Sequence, residues 1–130
     1  MRSAPRHVEV VTYLFAAVFT YGTVVHLVQL VGGGGDPYPG VPTAIAWFFV
    51  ALVVLDPLAA ILIVRRRRVG LLIGATTLLL DAAANAVVNY PPHDLTDGVT
   101  AGRVGQVVVT ALAVLLVFVT PRLWRWYRWP

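Results

Sequence analysis

Cysteine does not occur in this 130-residue chain. Its absence excludes a disulfide, a thiolate metal site, covalent haem attachment through CxxCH and a cysteine nucleophile. Charge is also scarce. Only 12% of the residues are charged and 58% are hydrophobic, against about 25% and about 45–50% in soluble proteins. That balance moves the expected solvent from water to lipid.

All ten cations are arginine, and they are clustered: Arg2 and Arg6, the tetrad Arg65, Arg66, Arg67 and Arg68, then Arg122, Arg125 and Arg128, with Arg103 apart. The net charge of +4 flanks apolar segments instead of covering a broad soluble face, so nucleic acid is not an expected partner. The first apolar segment follows a basic leader. At about two dozen residues it exceeds the roughly 7–15 of a secretory signal's apolar core, and no Ala-x-Ala site ends it. It is read as a retained helix.

Four apolar spans are expected, at about 8–31, 41–64, 69–90 and 101–120, in one transmembrane domain followed by an interfacial basic and aromatic tail at 121–130. The first stops at Gly32 to Gly35, and the second opens with Pro42 in its first turn and meets the arginine tetrad. Pro91 with Pro92 and then Pro121 end the third and fourth. Spans of about 20–24 residues reach roughly 30–36 Å, enough for a hydrocarbon core of about 30 Å. The fold class is an all-α integral membrane four-helix bundle, up-down-up-down. Laying the first two spans over the last two gives only a loose similarity of polar placement, so no repeat is read.

Orientation follows from the arginines, because positive loops near span ends stay cytoplasmic. The leader, the tetrad and the tail fall on one side. The opposite loops hold Asp36, Asp94 and Asp97 against Arg103 alone. Both termini are therefore expected in the cytoplasm, and the localisation is the cell membrane, multi-pass.

Ionisable groups at membrane depth cost about 2.5–3.5 kcal/mol on insertion scales and mark candidate sites. Helical rise puts Asp56 about 12 Å from the cytoplasmic boundary, Asp81 about 18 Å, Gln106 about 21 Å, Asn85 about 24 Å and His26 about 27 Å. Thr77, Asp81, Asn85 and Asn89 recur every four residues and share one helical stripe. Small residues beside them, Ala82 to Ala84 and Ala86, let a neighbouring helix approach. Gly102, Gln106 and Thr110 repeat the pattern on the fourth span, and Gly22, His26 and Gln29 on the first. These positions predict a polar pocket facing outward with Asp56 at its floor. Asn85, Asn89, Gln29 and Gln106 also suit a second role, as hydrogen-bonding glue between helices. For Asp56, the Asp-Pro step at 56–57 offers an alternative in which the carboxyl takes up a freed backbone N–H. Asp81 with Asn85 is the leading functional pair, Asp81 as a neutral proton carrier unless a cation or donor network stabilises its charge, and His26 either as its titrating partner or as a helix-end histidine hydrogen-bonded near the headgroups.

Other signals are weaker. The four glycines lack a following Gly-Lys-Ser/Thr and a preceding strand, so they read as a flexible connector and not a phosphate loop. The tetrad Arg65–Arg68 would attract anionic headgroups besides setting topology. The tail alternates arginine with Trp124, Trp126, Tyr127 and Trp129, as an interfacial anchor or a docking site does. His93, Asp94 and Asp97 on one loop are too few and too loosely held to assign a metal. No motif implies a cofactor.

Three functions compete on this reading. The first is a ligand-binding or accessory subunit of a larger membrane assembly, consistent with short loops and the lack of a catalytic motif. The second is an intramembrane enzyme acting on a lipid or terpenoid, with Asp81 or Asp56 as acid or base. The third is a proton- or ion-coupled transporter working as a homo-oligomer. The small multidrug transporters compare in size, but their mid-span glutamate has no counterpart, Glu9 lying at the edge of the first span.

Overall fold

The computed structural model describes residues 4–93 and 97–130; Arg2 and Asp94 lie outside the described residues. Four helices make up the fold: α1 (Arg6–Gly32), α2 (Thr43–Val64), α3 (Arg68–Asn89) and α4 (Ala101–Trp124). Each is long and apolar enough to cross a membrane. Consecutive helices run antiparallel and pack in chain order, α1 on α2, α2 on α3 and α3 on α4. The α2–α3 turn meets the C-terminal tail at one end of the bundle, called here the arginine end. The α1–α2 and α3–α4 connections form the loop end.

Prolines shape the elements in two ways. Pro5 and Pro42 sit immediately before α1 and α2, where a missing N–H costs nothing. Pro57 and Pro121 lie inside α2 and α4, and both helices continue through them. The expected stop of the fourth span at Pro121 is therefore displaced to Trp124. A proline removes one ladder bond, and the last turn of α4 recovers partners elsewhere. Arg68 Nε donates to the Trp124 carbonyl at 3.2 Å and to the Tyr127 carbonyl at 2.9 Å, and its guanidinium lies over the Trp124 ring. At the other end of α4, Thr100 caps the helix by accepting from the Arg103 N–H at 3.2 Å.

Lipid-exposed helices gain little from water exclusion, so close contact of small residues must hold them together. Gly70 and Gly74, four apart on α3, supply such contact. A Cβ at Gly70 would come within 2.8 Å of the Ile63 backbone nitrogen on α2, and one at Gly74 within 2.8 Å of the Phe19 ring on α1. Around them lies a core containing Phe15, Phe19, Ile63, Leu71 and Leu116.

The tail folds back onto this core. Arg128 N–H donates to the Arg66 carbonyl and Arg68 N–H to the Arg128 carbonyl, both at 2.9 Å. Tyr127 is only 2% exposed, and its hydroxyl lies 2.8 Å from Thr12 Oγ1 on α1. Thr12 gives its one proton to the Val8 carbonyl at 2.7 Å, so Tyr127 is the donor between them. Burial pushes the Tyr127 phenol above its ordinary value, against the opposing pull of the Thr12 bond and the Arg66 charge. The arginine end of the bundle is thus closed by residues that come last in the chain.

Candidate functional site

Packing in chain order leaves α1 and α4 with little mutual contact, and a cleft of about 600 Å³ opens along their seam. Asp56, Asp81, Asn85, His26 and Gln29 all line it. The two carboxyl groups thus face one space from α2 and α3. Leu14, Val18 and Val25 of α1 and Val108, Val109 and Leu112 of α4 form its apolar walls.

Asp56 is 5% exposed, and its carboxyl reaches across to α1. There it packs directly on Gly22, where an added Cβ would strike Oδ2 and lie 3.3 Å from Cγ. Among the described residues its oxygens make no hydrogen bond, so the carboxyl does not take up the backbone N–H expected near Pro57. On α3 the spacing of four works as expected: Asn85 Nδ2 donates to Asp81 Oδ1 at 2.8 Å and to the Asp81 carbonyl at 3.0 Å. No arginine or histidine forms an ion pair with either aspartate among the described residues; Glu9 with Arg66, 3.3 Å apart, makes the ion pair seen there.

His26 is buried, and its ring stacks on Phe49 of α2 with centroids 6.0 Å apart and planes 18° apart. Among the described residues its Nδ1 has no hydrogen-bond partner. Phe49 in turn packs against Tyr38, 5.3 Å away, from the α1–α2 connection. The Tyr38 hydroxyl is buried and unpartnered, and the phenol is pushed up by burial and then by the negative charge of Asp81. Sequence reasoning missed Tyr38. Its only signal is the Pro37-Tyr38-Pro39 sequence, with Asp36 Oδ1 accepting from the Tyr38 N–H at 3.3 Å, a local turn that lets the ring point inward.

Two expected members stand elsewhere. Gln106 Nε2 donates to the Ala82 carbonyl of α3 at 2.9 Å, and its side chain borders a separate apolar groove toward Phe118 on α4. Asn89 donates to the Asn85 carbonyl at 2.9 Å, and its Oδ1 packs on Gly102 of α4. Both join α3 to α4, the glue role weighed for them above. The cleft therefore has two carboxyl groups, two amides, an imidazole whose Nδ1 is unpartnered among the described residues, and apolar walls. Such a set can accept hydrogen bonds from a positively charged or donor-rich head while the walls take a hydrocarbon body. Among the described residues no three His, Asp or Glu side chains gather as a metal site.

No protein-family model, curated protein or solved structure matches this chain.

Proposed function

We propose that the protein is a multi-pass cell-membrane binding protein, with both termini cytoplasmic, whose α1–α4 cleft receives a small amphiphile with a cationic or donor-rich head. The observation that carries this reading is the pair Asp56 and Asp81 lining one apolar-walled cleft with no basic partner among the described residues. A carboxylate left without a cation in a poorly hydrated site is costly. A bound ammonium supplies both the charge and the donors. The aspartates accept from the head, Asn85 orients Asp81, and the valine and leucine walls take the chain. α4 is the helix least covered within the bundle, which suits an accessory role beside a larger membrane assembly or a second copy.

Dodecylammonium and dodecanol, titrated into the full chain in phosphatidylcholine nanodiscs, test the reading. Wild type is expected to prefer the amine by about tenfold or more, the scale of one charge-assisted hydrogen bond. Asp81→Asn and Asp56→Asn should each shrink that preference. Equal binding of amine and alcohol by wild type, or an undiminished preference in both variants, rejects it.

Two carboxyl groups facing one space also support a second reading, proton-coupled transport by an oligomer. Uptake of a cationic amphiphile into proteoliposomes driven by a pH gradient, and lost in Asp81→Asn, would favour it over simple binding.

A further inference from the structure

At the arginine end, away from the α1–α4 cleft, the returning tail and the α2–α3 turn enclose a second cavity of about 580 Å³. Its walls include Arg65, Arg66 and Arg67 from the turn and Arg125, Trp126 and Arg128 from the tail. We infer that this cavity is a binding site for a phosphate group carrying two negative charges.

Convergence, more than the number of arginines, carries the inference. Setting topology needs positive charge near span ends, and a tail spread along the surface would meet that need with its charges far apart. Here the tail instead folds back and brings Arg125 and Arg128 beside the tetrad. Arg66 takes a left-handed φ of 52° in the turn that receives it, a conformation costly for a residue other than glycine. Five arginines then line one cavity, and among the described residues Arg66 pairs with Glu9 of α1. Arg67 is partly satisfied by the Trp129 carbonyl at 3.1 Å. The guanidinium groups of Arg65, Arg125 and Arg128 make no hydrogen bond or ion pair among the described residues, and all three residues are exposed. Like charges brought to one cavity repel to the extent that water does not screen them, and an anion between them relieves that repulsion. Planar guanidinium forks match the oxygens of a phosphate, which accepts from several at once. A carboxylate offers only two oxygens and one charge, so a terminal phosphate is the better fit.

That chemistry has two sources, the headgroup of a phospholipid such as phosphatidic acid and a soluble phosphate. The test uses the full chain in phosphatidylcholine nanodiscs, with pyrophosphate added to the solution or phosphatidic acid added to the lipid. Binding is read by native mass spectrometry and by the shift in thermal unfolding. Wild type is expected to bind at least one of the two probes; pyrophosphate binding in pure phosphatidylcholine assigns a soluble ligand, and response to phosphatidic acid alone assigns a headgroup. Arg125→Gln with Arg128→Gln should weaken binding about tenfold or more. Arg122→Gln is the control. It stands nearby in the last turn of α4, but its guanidinium covers the Phe118 ring and is not part of the cavity, so less than about threefold is expected. Arg65→Gln gives an independent reading, because its exposed, unbonded side chain can be changed without disturbing the fold, and it should weaken binding as well. Failure to bind either probe, or equal weakening by Arg122→Gln and the cavity variants, overturns the inference in favour of a diffuse positive field.

Discussion

Asp56 reaches the cleft because the facing residue on α1 is a glycine. The carboxyl occupies the space that any Cβ at position 22 would need, so the two residues form one unit of packing. Gly22→Ala should push the carboxyl aside or part α1 from α2, at about 1–3 kcal/mol by the usual cost of overpacking. Thermal unfolding in detergent measures the loss, and the same variant should lose preference for dodecylammonium; an unchanged midpoint and preference would show that Asp56 has room to move. At this scale the sequence was partly legible. Asp81 and Asn85 are paired by helical spacing alone, which a reader of residues can count. Tyr38 was hidden, because whether a loop ring points inward depends on Phe49 and His26 lying beneath it. Gln106 was legible only as two alternatives, pocket lining or glue between helices. A helix apolar on nearly every side does not reveal which face meets its neighbour.

At the scale of elements, four spans could be read from hydropathy and proline placement, and all four are present within a few residues of the expected limits. The end of α4 could not be, since an interior proline leaves open whether a helix stops before it or runs on. Arg68 holds the carbonyls of Trp124 and Tyr127 with one Nε–H. The contacts of Gly70 and Gly74 went unread, because a spacing of four permits close helix approach without naming the partner touched. If Arg68 secures the tail, Arg68→Gln should release it, at about 1.5–3 kcal/mol for bonds from a charged donor. Arg68→Lys keeps the charge but lacks the planar group over Trp124, and should rescue only part. Tryptophan emission and protease cleavage after Arg125 report the release; a tail equally protected in Arg68→Gln would place its anchorage in Tyr127 and the backbone bonds of Arg128.

Taken as a whole, the molecule is a chain of neighbours with one open seam. α1 and α4 meet mainly through the tail at the arginine end, where Tyr127 bonds Thr12 and packs with Val8, Phe15 and Leu123. The width of the α1–α4 cleft should therefore respond to whether the tail is docked, which links the two ends of the bundle. Tyr127 gives a way to test this with pH. Its docked phenol has a raised pKa, so the neutral form is the one the fold favours. The docking contribution is fully present below the ordinary tyrosine value of about 10 and is lost as pH rises past it. The lack of native cysteine allows spin labels at Val24→Cys and Val107→Cys, both on exposed faces of α1 and α4. Their separation is expected to be narrow near neutrality and to broaden as pH climbs above about 10. Tyr127→Phe cannot ionise and loses a single hydrogen bond, about 0.5–1.5 kcal/mol, so its distribution should stay flat across the same range. Broadening of equal size in Tyr127→Phe would assign the alkaline response to another group and separate the seam from the tail.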